Sequence, residues 1–390
     1  MKSRILSFFL AITILMTAFV ISVVAADASE DVSLESSVAL DLECKSAILM
    51  DATTGTVLYE QNADEALPPA SVTKIMTLLL VMEAIDAGTI KLTDMVSASA
   101  HAASMGGSQI YLKEGEQMSV EDLVKSVVIA SANDAALALA EHVAGSEESF
   151  VERMNKRAEE LGMVNTHFEN TNGLDDTVEN HVTSARDIAV MSAALIKHEK
   201  ILEYSGIWMD TIRNGAFGLT NTNRLVRFYR DATGLKTGST AKAKFCVSAT
   251  AKRDGMHLIC VIMGAETRDS RNAIATKLLD YGFANYALYH AEGKVLNELK
   301  VLGGVEDTCG IAYDAFDCVL PKGGEGKVQC EIKIDESIAA PVKKGTAVGK
   351  IIYRSGDEIL GEVPIHTTET IEKIGFGDVF LRMLATIFVK

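Results

Sequence analysis

The sequence predicts a mixed α/β (α+β) fold, with an antiparallel sheet flanked by helices, then a small all-β domain and a C-terminal amphipathic helix. Two strand–turn–strand patterns, at residues 46–60 and 245–264, indicate antiparallel hairpins. Between them lie apolar helical runs, at residues 75–82, 121–143 and 185–198. From about Lys294 the chain changes to short alternating strands with glycine turns, and a helical period returns only near the end.

Composition and charge narrow the possible function classes. The chain has 390 residues, of which 48% are hydrophobic, so it can form two or three domains with a substantial core. Its formal net charge is −16. An acidic chain lacks the basic faces that nucleic-acid binding requires. We therefore expect no nucleic-acid partner.

The first 26 residues have the pattern of a secretory signal peptide. Lys2 and Arg4 give a positive start, residues 5–24 form an apolar core, and small residues at its end suit cleavage. Because the apolar run is long for a signal, an uncleaved membrane anchor is the alternative. Cleavage would change the net charge from −16 to −18, since Lys2 and Arg4 are the charged residues removed. A polar tether, residues 27–38, follows, and we expect an exported protein.

The six cysteines are too few and too scattered for a disulfide-rich scaffold, and no pair has the Cys-x-x-Cys spacing of a zinc or redox site. Cys246 and Cys260 lie in apolar strand-like runs, where we expect buried free thiols. One bridge among Cys309, Cys318 and Cys330 stays open. The histidines show no metal-ligand spacing, so neither a metal nor a cofactor is implied.

A serine and a lysine mark the start of the first long helix. Pro68 and Pro69 stop the segment that follows the first hairpin, and the apolar run after them has no breaker until Gly88. Ser71 and Lys74 are three residues apart, so they are neighbours on one helical face. A Ser-x-x-Lys pattern is common by chance, and alone it is more often a capping serine beside a solvated lysine.

The remaining elements follow in order. A polar break at residues 131–133 separates two helical runs, and a break between buried helices can direct side chains into a cleft. Further helices are predicted at residues 148–161, 185–198 and 272–289. Asp254-Gly255 is predicted to turn the second hairpin. With a boundary near Gly293, the predicted domains are 39–292, the all-β 293–367 and a final helix, 371–390.

Three short motifs occur in one order, each at a structural break. Ser71-x-x-Lys74 precedes Ser131-x-Asn133, and Lys236-Thr237-Gly238 comes last. Together, behind an export signal, they resemble the motif set of serine β-lactamases and penicillin-binding proteins. The chain is similar to a low-molecular-weight penicillin-binding protein, a D-alanyl-D-alanine carboxypeptidase of peptidase family S11, and resembles the sporulation-type enzymes of Gram-positive bacteria. The resemblance covers residues 40–390, including segments 69–77, 172–174, 185–187 and 234–239.

The resemblance implies the serine β-lactamase/penicillin-binding-protein fold and an acyl-enzyme mechanism. Ser71 would attack the carbonyl between two D-alanines, Lys74 would take its proton as general base, and Ser131 would relay a proton to the departing D-alanine. This chemistry removes the terminal D-alanine from the peptidoglycan stem pentapeptide, and β-lactam inhibitors such as penicillin would acylate the same serine. The implied substrate-binding residues are Asn133, Lys236, Thr237, Gly238, Ser239 and Arg271.

Residue type supports several of these roles. Asn133 can both donate to and accept from a peptide group. Lys236 adds positive potential and helps to keep Lys74 partly neutral. Thr237 offers a hydroxyl to the substrate carboxylate, and Gly238 lets the substrate backbone lie against the strand.

Other roles are less specific. A guanidinium suits a carboxylate, but an arginine before a helix, such as Arg271, is as often a solvated charge. His181 suggests a Ser–His dyad, yet Lys74 already fills the base role, so a structural loop histidine is favoured. By resemblance alone, the backbone N–H groups of Ser71 and Ser239 form the oxyanion hole.

Two other function classes stay open. A β-lactamase must hydrolyse its acyl-enzyme quickly, and one major class uses a glutamate to activate water. The loop at residues 165–183 contains Glu169 and Glu179, but neither lies in a pattern that assigns this role. A non-catalytic cell-wall-binding scaffold that keeps the fold is the second alternative, although every motif residue is intact.

The C-terminal region carries no catalytic set, so a spacer or protein-contact role is expected. Its final helix has an apolar stripe opposite Asp378, Arg382 and Lys390; the stripe consists of Phe376, Val379, Phe380, Met383, Leu384, Ile387 and Phe388. The helix is too short and too polar to span a bilayer but could lie at a membrane surface. Docking on the β domain is the alternative. We expect a location at the outer face of the cytoplasmic membrane, next to the cell wall.

Overall fold

The computed structural model describes residues 40–176 and 178–388, so the predicted signal peptide and tether lie outside the described residues. The strands before residue 268 are β1 (Ser46–Asp51), β2 (Val57–Gln61), β3 (Met95–Ser97), β4 (Gln117–Ser119), β5 (Met209–Ile212), β6 (Phe217–Thr220), β7 (Ala232–Thr240), β8 (Lys244–Arg253) and β9 (Met256–Ala265). Five of them form an antiparallel sheet in the order β2-β1-β9-β8-β7. The predicted antiparallel sheet is confirmed.

A 3-10 turn, Ala70–Thr73, precedes the first long helix. The helices are α1 (Lys74–Asp86), α2 (Ala100–Ala103), α3 (Val120–Ala130), α4 (Asn133–Ala144), α5 (Glu147–Glu160), α6 (Ala185–Ile196), α7 (Glu199–Ser205), α8 (Leu225–Phe228) and α9 (Arg268–Asn285). Helix α1 is buried around most of its circumference and contacts α4, α5 and α6, because its apolar residues leave no polar face. It is therefore the central helix of the helical layer.

The two predicted hairpins position the sheet against the helices. Asp254 and Gly255, with φ of +50° and +85°, turn β8 into β9, as the Asp-Gly pair predicts. Every residue of β9 is buried, because α6 and α9 both contact this strand. At the other side, β7 is an edge strand and contacts the 3-10 turn that carries Ser71.

The helix predicted at residues 272–289 is wrong at both ends. It begins at Arg268, because Thr267 and Ser270 form a capping box in which each side chain accepts from the other residue's backbone N–H. It ends at Asn285, and the next residues form strand β10 (Tyr286–Ala291). Aromatic Tyr286 and Tyr289 suit a strand, and cross-strand pairing decides the conformation there.

The C-terminal region is built of short strands, as predicted. They are β11 (Lys294–Val295), β12 (Leu299–Leu302), β13 (Thr308–Cys309), β14 (Ile311–Tyr313), β15 (Phe316–Pro321), β16 (Val328–Ile334), β17 (Ser337–Ala339), β18 (Ala347–Ser355) and β19 (Glu358–Thr367). A five-stranded sheet has the order β11-β14-β19-β18-β16, and β10 pairs with β15. A separate apolar core, which includes Ile351, Tyr353 and Ile365, supports it.

The last helix, α10 (Phe376–Phe388), leaves apolar side chains exposed, among them Phe376, Phe380 and Ile387. Within the described ranges, no helix combines the length and the apolar content needed to cross a membrane. All six cysteines lie in those ranges and are free thiols, and Cys246 and Cys260 are fully buried as predicted. The bridge left open among Cys309, Cys318 and Cys330 is not formed.

Candidate active site

The turn that carries Ser71 is held between a loop and a strand. Ala70, just before Ser71, has a φ of +48°, in the left-handed region that non-glycine residues seldom adopt. Gly173 packs so closely that a Cβ there would lie 1.8 Å from the Ala70 carbonyl oxygen. On the other side, a Cβ on Gly238 would lie 2.8 Å from the backbone nitrogen of Ser71. Both glycines are therefore required by close backbone approach.

His181 stabilises the same turn through the Thr73 hydroxyl. Its Nε2 lies 2.8 Å from the Thr73 hydroxyl, and that hydroxyl donates to the Ala70 carbonyl oxygen at 2.9 Å. The backbone N–H of Glu169 donates to His181 Nδ1 at 2.9 Å, so Nε2 carries the proton and donates to Thr73. Burial lowers the pKa of His181 to about 4, which keeps the ring neutral. The histidine therefore has a structural role.

Ser71 and Lys74 are in direct contact. Lys74 Nζ lies 2.9 Å from Ser71 Oγ, and it donates to the backbone carbonyl oxygen of Asn172 at 2.8 Å. The Lys74 side chain is fully buried. Burial and the nearby Lys236 charge lower the pKa of Lys74 well below its usual value, although Asp134 opposes the shift. The solvated-lysine interpretation of this Ser-x-x-Lys is therefore wrong.

The second and third motifs meet beside this pair. Ser131 ends α3 in the left-handed conformation, with φ +63°, so the helix stops at this serine. Lys236 Nζ donates to Ser131 Oγ at 2.9 Å and to the Thr237 carbonyl oxygen at 2.8 Å. Burial first, and then the Arg271 charge, lower the pKa of Lys236 to about 7. Two buried lysines with lowered pKa values thus flank the serine hydroxyls.

Asn133 is buried at the start of α4, and only part of its amide is satisfied. Its Nδ2 donates to the Gly106 carbonyl oxygen at 2.7 Å. Its buried Oδ1 has no hydrogen-bond partner within the described part of the chain. A buried acceptor without a donor is costly. The oxygen is therefore the atom of Asn133 that is free to accept a hydrogen bond from a ligand.

The Lys-Thr-Gly segment lies on β7, the open edge of the sheet. Thr237 Oγ1 donates to Thr222 Oγ1 at 2.8 Å, and Ser239 is exposed. An edge strand has unpaired backbone groups, so an extended peptide can pair with it. The close approach of Gly238 to the Ser71 turn brings this edge directly beside the serine.

A cavity of about 590 Å³ connects most of the predicted residues. Its lining contains Ser71, Ser131, Thr237, Gly238, Ser239 and Arg271, whereas the buried Lys74, Lys236 and Asn133 are not among the lining residues. Further lining residues carry no motif and were not predicted: Ser108, Trp208, Thr222, Arg224, Phe228 and Arg268. In the described chain, no Asp or Glu lines this cavity, although the protein is acidic overall. The cavity therefore favours anionic ligands.

Arg271 is buried and not a solvated charge. Its guanidinium donates to Asn272 Oδ1 at 2.9 and 3.1 Å and to the Cys246 carbonyl oxygen at 3.3 Å, all neutral acceptors. Among the described residues it has no carboxylate partner. Burial, and then the charge of Arg268, lower its pKa to about 10. A buried cation of this kind is suited to receive a carboxylate from a ligand.

The two glutamates of the 165–183 loop do not reach this site. Glu169 accepts from the backbone N–H of Asn180 at 2.9 Å, and Glu179 is exposed. Neither carboxylate lines the cavity of Ser71. The contact that the motifs could not indicate is the Asn172 carbonyl oxygen on Lys74, because backbone atoms leave no pattern in a sequence.

Comparisons with known proteins show the family of this chain. The family model "D-alanyl-D-alanine carboxypeptidase", peptidase family S11, matches residues 30–267, and the model "Penicillin-binding protein 5, C-terminal domain" matches residues 283–373. The D-alanyl-D-alanine carboxypeptidase DacF of Bacillus subtilis is 45% identical over 341 residues, which cover 86% of this chain and 87% of the relative.

Solved structures give the same result. Penicillin-binding protein 5 of Haemophilus influenzae superposes with a TM-score of 0.75 at 31% identity, over 85% of this chain and 98% of that protein. Penicillin-binding protein D2 of Listeria monocytogenes, in its ampicillin-bound form, gives a TM-score of 0.58 at 33% identity, over 63% of this chain and 99% of that protein. The predicted penicillin-binding-protein fold is confirmed, and the chain belongs to the D-alanyl-D-alanine carboxypeptidases of peptidase family S11.

Proposed function

We propose that Ser71 forms the acyl ester of this carboxypeptidase and that neutral Lys74 is the base that takes its proton. The observation that carries the proposal is the 2.9 Å contact between Ser71 Oγ and Lys74 Nζ, where burial lowers the lysine pKa. A neutral amine has a lone pair for the Ser71 O–H, while its own N–H donates to the Asn172 carbonyl oxygen. Without such a base a serine hydroxyl is a weak nucleophile.

Ser131 is the proposed proton relay to the departing D-alanine nitrogen. Its hydroxyl borders the cavity, and the Lys236 N–H that donates to it at 2.9 Å makes it a better proton donor. The developing oxyanion would be held by the backbone N–H groups of Ser71 and Ser239. The tight packing of Gly238 against the Ser71 turn supports this pairing of strand and turn.

The substrate is the peptidoglycan stem pentapeptide, with its terminal D-alanine next to Thr237 and Arg271. The terminal carboxylate would supply the negative partner that buried Arg271 lacks among the described residues. The unpartnered Oδ1 of Asn133 would accept from a substrate N–H. Gly238 lies on the edge strand, where the substrate backbone can pair, and its missing side chain lets this strand approach the Ser71 turn.

The test measures D-alanine release and penicillin acylation on the same protein. A peptide ending in D-alanyl-D-alanine should lose D-alanine, and a fluorescent penicillin should label the protein covalently, as expected for a relative of an ampicillin-binding protein. Ser71→Ala should abolish both, while Ser104→Ala, an exposed serine in a helix cap, should keep both. Labelling of Ser71→Ala at the parent rate would contradict the proposal.

The lifetime of the penicillin adduct distinguishes the proposed carboxypeptidase from a β-lactamase. We expect a long-lived adduct on Ser71, because neither Glu169 nor Glu179 lines the cavity to activate water. An adduct that clears within seconds would favour a β-lactamase.

We also propose that the protein is exported and that α10 lies on the membrane surface. Phe376, Phe380 and Ile387 are exposed, at 87%, 53% and 64%, so the apolar stripe is not covered by the β region. Arg382, near the middle of α10, donates to Asp307 at 3.0 Å and to the Val305 carbonyl oxygen, and these contacts attach the helix to that region. Phe380→Glu should lower co-sedimentation with anionic lipid vesicles, and Ile332→Glu, on an exposed strand, should not. Equal vesicle binding by both variants would contradict the proposed membrane contact of α10.

A further inference from the structure

Strand β16 (Val328–Ile334) forms an open edge of the C-terminal sheet. It pairs with β18 along one side, and no strand in the described ranges pairs with its other side. The seven residues pair with β18 in unbroken register, and residues 329–334 are all exposed. An edge strand has a row of unpaired backbone N–H and C=O groups, to which another strand can bind. A regular edge of this length is therefore a possible binding surface.

One face of β16 continues the apolar core of the β region. Ile332 lies opposite Ile351 of β18, which is 1% exposed and belongs to that core. Directly opposite residues of two paired strands lie on the same face of the sheet. Ile332 and Ile334 are nevertheless 50% and 42% exposed, because the sheet ends at this strand. A further strand beside β16 would extend the core over these two side chains.

The backbone of Ile332 points to the open side of β16. The N–H of Asp335 donates to the Val348 carbonyl oxygen at 3.0 Å, and the Lys333 carbonyl oxygen lies against Gly349 of β18. In an antiparallel pair, residues that bond to the partner strand alternate with residues that point away from it. The N–H and C=O of Ile332 therefore point away from β18, where they can bond to an added strand.

The two neighbours of Ile332 carry opposite charges. Glu331 and Lys333 are about half exposed, with 3.3 Å between the carboxylate and the ammonium group. If a second copy of β16 pairs antiparallel about a two-fold axis at Ile332, Glu331 of each copy lies opposite Lys333 of the other. An axis at Cys330 would instead place Glu331 opposite Gln329. The charges therefore favour a second copy of this chain in one register.

We propose that β16 pairs antiparallel with β16 of a second copy, centred on Ile332, so that the two C-terminal sheets form one continuous sheet. The Ile332 N–H of each copy donates to the Ile332 carbonyl oxygen of the other. The catalytic cavity takes no part in this interface, because β7 and the Ser71 turn belong to another sheet. A contact made mainly by one strand is small, and small interfaces are weak and transient. The dimer therefore forms at high local concentration.

A charge exchange tests both the partner and its orientation. The full chain is sedimented at ~100 μM, in a non-ionic detergent that covers α10, and the parent protein should be a dimer. Glu331→Lys and Lys333→Glu should each weaken dimerisation by at least roughly tenfold, because like charges then face each other. A 1:1 mixture of the two variants should restore the dimer, since the two lysines of one variant face the two glutamates of the other. A monomeric parent protein, or a mixture that stays monomeric, would overturn the proposal.

A second pair of variants tests the apolar contact. Ile332→Glu places a carboxylate opposite its own copy and should weaken dimerisation by at least roughly tenfold. Ile359→Glu, at a 47% exposed position on β19, is the matched control and should dimerise as the parent protein does. All these variants should keep the parent rate of D-alanine release, which shows that they fold. Equal loss of the dimer in both isoleucine variants would contradict an interface at β16. The vesicle experiment with Ile332→Glu is run at concentrations at which the parent protein is a monomer.

Disulfide formation tests the register. In the double variant Cys330→Ser/Ile332→Cys the two central Cα atoms would lie about 5.5 Å apart, so mild oxidation should give a covalent dimer. In the parent protein, Cys330 lies opposite Ile334 of the second copy, which places the two Cys330 residues roughly 13 Å apart along the strands, too far for a bridge. A parent disulfide dimer that Cys330→Ser abolishes, or a double variant that does not cross-link, would overturn the register centred on Ile332.

Discussion

The catalytic cavity and the C-terminal β region differ in how their basic side chains are buried and paired. At the cavity, Lys74, Lys236 and Arg271 are at most 2% exposed and have no carboxylate bonded to them among the described residues. In the β region, Lys350 pairs with Glu362 at 2.8 Å, and both side chains are more than 40% exposed. Burying a basic side chain without a carboxylate partner is costly and lowers its pKa, so the fold keeps these groups at the site of the proposed chemistry. We therefore expect large effects from substitutions of the buried basic residues at the cavity and small effects from substitutions of the exposed ion pair in the β region.

The largest effect is expected at Lys74. Lys74→Arg keeps the charge and approximate length, but arginine, with a pKa above about 12, cannot act as a base. The variant should fold and lose D-alanine release and penicillin acylation by roughly 10²–10⁴-fold, without rescue at pH ~9. Lys236→Arg keeps a cation beside Ser131 and should retain measurable acylation. Acylation of Lys74→Arg at the parent rate would show that Lys74 is not the base.

The next effect tests the turn that positions Ser71. In Gly173→Ala the new Cβ would lie 1.8 Å from the Ala70 carbonyl oxygen, so the loop or the turn must move. We expect stability to fall by more than about 2 kcal/mol and acylation of the folded fraction to fall with it. Gly162→Ala is the control, because Gly162 has a similar φ of +73° but no atom within 4 Å. It should cost only about 1–2 kcal/mol, measured by urea unfolding.

A smaller effect is expected at Arg271. Arg271→Gln removes the cation proposed for the terminal carboxylate, so D-alanine release should fall by roughly 10–100-fold in kcat/KM, the scale of one charged hydrogen bond. For a substrate with a terminal carboxamide, the variant and the parent protein should have the same kcat/KM. If the variant impairs both substrates equally, Arg271 has a structural role.

The smallest effect is expected in the β region. Lys350→Ala breaks the exposed pair with Glu362, and exposed ion pairs contribute little because solvent screens them. Unfolding stability should change by less than about 1 kcal/mol, and the rate of D-alanine release should stay the same. A loss of activity in Lys350→Ala would remove the contrast between the two regions.

The sequence could predict the parts of this site that depend on side-chain type. Ser71 and Lys74 follow from helical spacing, and Asp254-Gly255 predicts the hairpin turn. The positive φ of Ala70 could not be predicted, because it is imposed by tertiary packing against Gly173. The Asn172 carbonyl contact was missed for the same reason, as was the change from helix to strand after Asn285.

The residues that line the cavity also divide into those the sequence could predict and those it could not. Residues of the three motifs were predicted, while Trp208 and Phe228 come from segments without a pattern. The structure brings them to the cavity through α8 and the residues before β5, a tertiary arrangement that local periodicity does not encode.

The central claim is that Lys74 is neutral in the resting enzyme, and the pH dependence of Ser71 acylation by penicillin tests it most directly. Only deprotonated Lys74 is reactive, so the acylation rate increases with pH as Lys74 loses its proton. Because the pKa of Lys74 is lowered, the rate should reach its plateau at a pH well below 10.5, the ordinary lysine value. In Lys236→Met the loss of a neighbouring positive charge should raise the Lys74 pKa and shift the rising limb to higher pH. A parent rate that still climbs through pH 10.5, or a limb that disappears in Lys236→Met, would contradict the account.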